Sequence, residues 1–370
     1  MPHAVSMDRL NAHLDRGWDL LQKGDTRGAR SSARRALEIE PDSPDAHNLL
    51  GHAAERDGEI DEALEHYRQA MALDDGFIDP MLAAAELLLH PLAQYAEAVD
   101  LCDEILSFAE APDDIADALL LKFDAMLGLD APDAELRRVL AALPEGPFES
   151  PAVLYHAGRA WFELGDLDAA EGLLQKALAD DARNPDGHYY LGLVREQRGD
   201  WRGATVAFLE SRELDLHQPR APWALARAEF HKTLVKALDK VPPEEAAPLD
   251  GALVLSADVP AMELVADGVD PRQPVLIEGL GPGGAPSVPG GLVRMFVYQH
   301  NVERLVASLD DLEDELVAQI QDELERVTGA EPGDAGVSPP STQIALVAPP
   351  VEAVTREEEP RARRAPRKKD

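Results

Sequence analysis

The chain has 370 residues, enough for two or three domains, and a formal net charge of −35. This charge argues against a body that wraps a nucleic-acid backbone, because the phosphates would be repelled. The single cysteine, Cys102, excludes an internal disulfide and a cysteine-rich metal site. No apolar run has membrane-spanning length, and Met1 to Leu10 carry no secretory signal. We therefore expect a cytoplasmic protein without membrane insertion.

The first 220 residues contain a repeated pattern of small residues. Gly24 and Gly58 are 34 residues apart, and so are Gly165 and Gly199. The same interval separates Gly17 from Gly51, Gly158 from Gly192, Ala29 from Ala63, Ala36 from Ala70 and Ala170 from Ala204. A fixed period of this length is typical of stacked supersecondary units, each of which buries its apolar face against its neighbours.

Each unit is predicted to be a pair of helices. Gly24, Gly58, Gly165 and Gly199 are placed to end the first helix of a pair, where a positive φ is favourable. The glycines seven residues earlier lie inside that helix and are predicted to let the second helix approach closely, since glycine there is otherwise costly.

These segments closely resemble the tetratricopeptide repeat. His47-Asn-Leu-Leu-Gly51 and His188-Tyr-Tyr-Leu-Gly192 match its first-helix signature, and Pro41 matches the proline that ends a repeat. The resemblance implies a mainly α protein whose residues 10–218 form a solenoid of about six helix pairs. The clear repeats are 10–43, 44–77, 151–184 and 185–218, and the segments 79–112 and 113–146 are interpreted as diverged copies.

The resemblance also implies a groove, lined by the first helices, that binds a protein or peptide. Residues expected on the groove surface are Asn48, His52, Arg56, Tyr155, Arg159 and Tyr189. The arginines and tyrosines among them are common anchors in protein interfaces. The alternative for each of these residues is an ordinary solvated side chain.

A second domain is predicted over residues 224–329. Helices are expected at 224–241 and 311–327, strands at 252–256, 275–277 and 292–298, and a short segment at 262–265. This order resembles a family of small bacterial zincin-like metallopeptidases, in which the last helix carries HExxH. The corresponding stretch here is Asp322-Glu323-Leu324-Glu325-Arg326.

The two histidines that would bind zinc are replaced in this stretch. Asp322 stands in the first position and Arg326 in the second, and only the general-base position, Glu323, is kept. A permanent guanidinium would repel a divalent cation at contact distance. The resemblance therefore implies a degenerate peptidase fold with no catalytic residue, metal or cofactor, in which Asp322 and Arg326 form a helical ion pair.

The remaining segment, 330–370, is rich in proline, alanine and acidic residues and is predicted to be a disordered tail. Its end, Arg361–Lys369, holds six basic residues. Such a run can contact nucleic acid, an anionic membrane or the acidic body of the same protein, or it can simply be solvated. No aromatic residues accompany it, so no sequence-specific nucleic-acid binding is expected.

These features together predict a non-enzymatic adaptor or scaffold that binds a partner segment in the groove. Two other classes stay open: a zinc metallopeptidase with an atypical ligand set, and a nucleic-acid-associated protein that acts through its basic tail.

Overall fold

The computed structural model describes residues 2–285, 287 and 291–329. The predicted tail at 330–370, with its basic end Arg361–Lys369, lies outside the described residues. No described helix combines the length and the apolar character needed to cross a lipid bilayer.

The N-terminal part of the chain is built from six successive pairs of antiparallel helices. Their bounds are α1 (Pro2–Gln22), α2 (Thr26–Ile39), α3 (Pro44–Arg56), α4 (Ile60–Leu73), α5 (Ile78–Leu89), α6 (Tyr95–Phe108), α7 (Pro112–Gly128), α8 (Asp133–Leu140), α9 (Ala152–Glu163), α10 (Leu167–Asp180), α11 (Pro185–Gln197) and α12 (Trp201–Leu216). Each helix packs against both its neighbours in the chain, and the buried apolar residues form a succession of clusters along the array. The prediction of a mainly α-helical solenoid is confirmed.

Glycines and caps fix the turn inside four of the six pairs. Gly24, Gly58, Gly165 and Gly199 have φ values between 71° and 80°, as predicted for residues that end the first helix. In three of these turns an aspartate follows the glycine and caps the second helix; the Asp25 carboxylate, for example, accepts a hydrogen bond from the Gly28 amide at 2.8 Å.

The glycines inside the first helices allow the closest packing of the array. A Cβ atom on Gly51 would lie 2.4 Å from the Tyr67 ring on α4, and one on Gly192 would lie 2.4 Å from the Phe208 ring on α12. Because Tyr67 is fully buried, it has no room to retreat. The predicted close approach of paired helices is therefore present in the structure.

The fourth pair departs from the pattern of the others. Its second helix, α8, has only eight residues, and the chain from 141 to 150 is not helical. This pair lies in the segment that the sequence marked as diverged.

A small α+β unit follows the solenoid. It comprises α13 (Arg227–Lys240), α14 (Pro243–Ala246), β1 (Leu253–Ala257), α15 (Met262–Ala266), β2 (Val275–Glu278), β3 (Arg294–Tyr298), α16 (Gln299–Glu303) and α17 (Leu312–Gly329), with 3-10 turns at Ala247–Leu249 and Pro282–Gly284. The three strands form a sheet in the order β1-β3-β2, with β1 parallel and β2 antiparallel to β3. Apolar side chains of α13 and α17, among them Phe230, Leu234 and Leu316, form its core with Met295 and Val297 of β3.

Candidate functional site: the inner surface of the helical repeats

The first helix of each pair lies on one side of the solenoid. Consecutive members of the series α1, α3, α5, α7, α9 and α11 contact one another directly. Such close spacing is expected on the concave side of a curved array of helix pairs. We call the surface formed by these six helices the inner surface.

At its N-terminal end the inner surface carries a hydrogen-bonded network instead of free side chains. The Asn48 amide donates to the Asp79 carboxylate at 2.5 Å, and His52 Nε2 lies 3.5 Å from the same carboxylate. The Tyr67 hydroxyl lies 2.9 Å from His52 Nδ1 and donates to Glu55 at 2.5 Å. The network joins α3, α4 and α5. Asn48 is buried within it, and only part of the His52 side chain is accessible to a partner.

The charge of His52 follows from this network. Burial lowers the pKa of His52, but its hydrogen bonds to Asp79 and Glu55 outweigh burial and raise the pKa to about 9. His52 is therefore protonated at neutral pH, and Trp18 stands edge-on to its ring, with the ring centroids 5.3 Å apart.

Arg56, the third residue predicted on this part of the groove, has a different role. Its guanidinium donates to the backbone oxygen of Leu21, the penultimate residue of α1. The same carbonyl also accepts the Gly24 N–H at 2.9 Å, so Arg56 adds a second hydrogen bond at the end of that helix and ties the second pair to the first.

Three carboxylates mark the middle of the inner surface. Glu86 lies on α5, and Asp114 and Asp117 lie on α7. Within residues 2–285 and 291–329 none of the three makes a side-chain hydrogen bond or an ion pair. Burial, with Asp113, Asp114 and Glu86 nearby, raises the pKa of Asp117 to about 6, and burial with Asp113 and Asp79 nearby raises that of Asp114. We call Glu86, Asp114 and Asp117 the acidic patch.

No basic side chain neutralises the acidic patch from the helices that carry it. Lys122 is the only basic residue of α5 and α7, and its ammonium pairs with Asp103 of α6 at 2.5 Å. The neighbouring Asp113 is occupied, because its carboxylate accepts the backbone N–H of Ser150 at 2.9 Å.

The sequence-based selection of groove residues missed the acidic patch. Asp113, Asp114 and Asp117 were visible as a cluster at the start of a helical segment, but Glu86 lies about thirty residues earlier. Only the packing of α5 against α7 brings the two segments together.

Further along, Tyr155 and Arg159 lie on α9 as predicted, and both are engaged. Arg159 pairs with Asp124 of α7 at 2.5 Å, and the Tyr155 ring packs edge-on against Tyr190, with the centroids 6.1 Å apart. Burial lowers the pKa of Arg159, but the Asp124 carboxylate more than offsets this and raises it.

Tyr189, which was predicted to be available to a partner in the groove, is covered by residues of the α+β unit. Its hydroxyl donates to Asp270 of the α+β unit at 2.8 Å, and the Arg272 guanidinium stacks on its ring, 4.5 Å from the centroid. The chain itself therefore occupies this end of the inner surface.

A buried charge cluster secures this contact. Asp215, at the end of α12, is only 2% exposed and pairs with Arg272 at 2.9 Å and with Arg304 at 2.7 Å. Arg272 also reaches Asp186 of α11 at 2.6 Å. An apolar contact of Val265 with Ala204 and Phe208 adjoins the cluster.

The stretch corresponding to HExxH lies on α17 and is structured differently from the prediction. Arg326 forms a bidentate ion pair with Glu323, at 2.6 and 2.7 Å, so the predicted Asp322–Arg326 pair is wrong. Glu323 is buried and also accepts the Ile277 N–H of β2 at 3.0 Å. Its two oxygens are thus committed to a guanidinium and to the edge of the sheet.

The described residues offer no cluster of three or more His, Cys, Asp or Glu side chains arranged to hold a metal ion. Cys102 is buried within the solenoid, and burial raises the pKa of its thiol to about 12.

Comparison with known proteins identifies the repeats. A family model described as "Tetratricopeptide repeat" matches residues 14–76 and 155–214. Tetratricopeptide repeats are present in this chain. The two matched segments coincide with the four repeats that the sequence shows most clearly.

The individual similarities are partial. The type IV pilus assembly protein PilF of Pseudomonas aeruginosa is 41% identical over 64 residues, which is 17% of this chain and 25% of PilF. The match therefore spans a quarter of that relative. Among solved structures, PilF of Pseudomonas aeruginosa is 19% identical and has a TM-score of 0.49, covering 62% of this chain and 99% of its own.

Two further solved structures lie in the same range. PilW, described as a type IV pilus biogenesis factor, is 19% identical with a TM-score of 0.47, over 56% of this chain and 94% of its own. YrrB, described as a TPR protein with an unusual peptide-binding site, is 16% identical with a TM-score of 0.37, over 50% of this chain and 93% of its own.

Proposed function

We propose that this protein is a non-enzymatic scaffold that binds a basic, extended segment of another protein along its inner surface. The observation that carries the proposal is the acidic patch, three carboxylates of α5 and α7 that have no ion-pair partner among residues 2–285 and 291–329. The repeats flanking it use their inner-surface side chains for contacts within the chain, so the middle of the solenoid is the part left for a partner.

The pKa of Asp117 supports a cationic ligand. Its value of about 6 reflects burial and repulsion from neighbouring carboxylates. A lysine or arginine placed there would relieve the repulsion and favour the ionised form. Binding should therefore strengthen as pH rises through about 6 and weaken with salt, because the attraction is screened.

A basic peptide tests this proposal directly. The probe is a fluorescent peptide with the sequence of residues 361–369, used as a source of arginine and lysine. We expect the variant Glu86→Gln/Asp114→Asn/Asp117→Asn to bind the peptide at least about ten-fold more weakly, since each exposed or half-buried charge pair contributes on the order of 0.5–1 kcal/mol. Fluorescence anisotropy at two salt concentrations measures the loss.

The control variant removes the same charge from the other side of the solenoid. Asp61, Asp100 and Glu104 are exposed acids on the second helices α4 and α6. The variant Asp61→Asn/Asp100→Asn/Glu104→Gln should bind almost as tightly as the parent. Equal losses in the two variants would show general attraction to an acidic protein and would refute the proposed site.

The same pair of variants distinguishes proteins that bind the acidic patch from proteins that bind elsewhere on the chain. A protein captured from native lysate by the parent and by the control variant, but not by the acidic-patch variant, is the expected partner. If the chain's own basic end occupies the patch, a chain ending at Pro360 should bind the free peptide more tightly than the full chain.

The degenerate zincin-like fold and the metallopeptidase alternative find less support. Glu323 is held by Arg326 and by the backbone of β2. A stoichiometric zinc content in purified protein, lost in Glu323→Ala, would restore the enzyme hypothesis. The hypothesis of a nucleic-acid-associated protein depends on the basic end of the tail. It predicts that the full chain binds nucleic acid in a salt-dependent way and that a chain ending at Pro360 does not.

The cytoplasm is the compartment we propose, which fractionation of expressing cells can test. The single free thiol, Cys102, is compatible with a reducing environment.

A further inference from the structure

The two edges of the three-stranded sheet are treated differently. On the β2 side, the Ile277 N–H is bound by Glu323 and the Val275 carbonyl accepts from the Gln273 side chain at 2.8 Å. Side chains thus close that edge, as natural proteins commonly do to prevent unwanted strand pairing.

The β1 edge is open. Leu253 donates its N–H to Val293 at 2.9 Å and lies opposite Arg294 in the parallel ladder. In such a ladder alternate residues face the partner strand, so the N–H and C=O groups of Val254 and Ser256 point away from the sheet. Among the described residues nothing hydrogen-bonds to these groups, and β3 is the only helix or strand that packs extensively against β1.

This edge lacks the features that usually prevent strand pairing. Its residues, Leu253-Val-Leu-Ser-Ala257, include no charged side chain and no proline. Leu253 is 45% exposed and Leu255 is 36% exposed, and they share with Phe296 the face of the sheet opposite the core of α13 and α17. Unsatisfied backbone groups beside exposed leucines form a surface to which another strand can be added.

The strand is also complementary to itself in antiparallel register. A two-fold axis through Leu255 places Val254 of one copy opposite Ser256 of the other, so the outward N–H and C=O groups of both residues gain partners. Leu255 then meets its own copy in a non-hydrogen-bonded pair, where opposing side chains lie closest. The flanking Asp258 falls opposite Ala252, so no like charges meet along the paired strands.

We propose that two copies of this protein pair through their β1 edges, antiparallel and centred on Leu255, to form one continuous sheet. A second copy is favoured over an unrelated strand because it brings the same unsatisfied groups and the same exposed leucines in matching register. A five-residue edge is small compared with the interfaces of permanent dimers, so the association is expected to be reversible and to depend on concentration.

Salt distinguishes this association from binding at the acidic patch. Each copy carries a formal charge of −35, so screening of the repulsion should strengthen the dimer. Binding of a basic segment to the acidic patch should weaken under the same conditions, because there the attraction is screened.

Site-directed disulfide formation tests the register on the full chain. Opposing Cα atoms of a non-hydrogen-bonded pair lie about 4.5 Å apart, which a disulfide can bridge. The variant Leu255→Cys should therefore form a covalent dimer under mild oxidation with diamide. Cys102 does not compete, because it is buried.

The matched control is Leu253→Cys, which places an exposed thiol on the same strand and the same face. Its two copies would lie about 14 Å apart in the proposed register, too far for a disulfide. We expect Leu255→Cys to cross-link at least about ten-fold faster than Leu253→Cys. Equal rates in the two variants, no cross-linking in either, or cross-linking of Leu253→Cys alone would overturn the proposal.

Sedimentation velocity tests the dimer without a covalent bond. The variant Leu255→Lys would bring two ammonium groups together at the axis and should weaken self-association by at least about ten-fold. The control Leu305→Lys changes a leucine that is 51% exposed between α16 and α17 and should associate as the parent does. A parent that stays monomeric over about a hundred-fold range of concentration, or self-association that Leu255→Lys leaves unchanged, would refute pairing at this edge.

Discussion

Gly51 and Gly172 both lie inside helices, but they differ in the space that the surrounding residues leave for a side chain. A Cβ atom on Gly51 would meet the buried Tyr67 ring, whereas one on Gly172 would meet nothing within 4 Å. We expect Gly51→Ala to lower the free energy of unfolding by about 1–3 kcal/mol through overpacking. Gly172→Ala should raise it by about 0.5–1 kcal/mol through helix propensity. Thermal unfolding of both variants measures the contrast, and two changes of the same sign would contradict the packing assigned to Gly51.

His52 gives the molecule a pH-dependent contribution to stability. Its pKa of about 9 in the folded protein exceeds the ordinary value of 6.5. Charged His52 therefore makes its full contribution to the free energy of unfolding below pH 6.5, and this contribution is lost as pH rises through about 9.

The variant His52→Gln isolates this effect from other titrating groups. The difference in unfolding free energy between parent and variant should shrink on going from pH 6 to pH 9.5, by on the order of 1–3 kcal/mol. Urea titrations at the two pH values provide the measurement. A difference that does not change with pH would mean that His52 is not held in its charged form.

At the scale of elements, Glu323 links α17 to β2. The resemblance to zincin-like peptidases placed this residue at the general-base position, but in the structure its role is to hold these two elements together. Glu323 binds the edge of β2 and Arg326 at the same time. The helix itself was predictable from apolar spacing, but the partners of Glu323 were not, since an (i, i+3) pair and an (i, i+4) pair are equally allowed by helix geometry.

The variants Glu323→Ala and Glu325→Ala separate these roles. Removal of the Glu323 carboxylate leaves the buried Ile277 N–H without an acceptor, so we expect a loss of about 1–3 kcal/mol in unfolding free energy. Glu325 is exposed on the same helix and should change stability by less than about 0.5 kcal/mol. Similar stability of the two variants in chemical denaturation would refute the proposed capping of the sheet edge.

At the scale of the whole molecule, the contact between the solenoid and the α+β unit depends on Arg272. This residue joins Asp215 and Asp186 to the ring of Tyr189. Its removal leaves buried charge incompletely paired, which typically costs about 3 kcal/mol or more.

We expect Arg272→Ala to speed proteolytic cleavage of the connection at 217–226 as the contact opens. Arg227→Ala breaks an exposed pair with Asp258 in the same unit and should leave the cleavage rate close to that of the parent. Limited proteolysis followed by mass spectrometry locates the cuts. Unchanged cleavage in Arg272→Ala would show that the charge cluster does not hold the two parts together.

The sequence by itself determined the repeats, because turns and close helix contacts impose local requirements on residue type. Glycine is needed to end the first helix of a pair, at Gly24, Gly58, Gly165 and Gly199, and again inside that helix where the second helix approaches. It also indicated the two long helices and the three strands of the α+β unit, since apolar periodicity is local, but not the short helices α14 and α16. Only the tertiary structure decided which side chains are free. Tyr189 is covered by a loop about eighty residues later in the chain, Asn48 is held by Asp79 of the next pair, and Glu86 meets Asp117 through packing alone. Burial and charge pairing are properties of segments brought together in space, and the spacing of residues along one segment does not specify them.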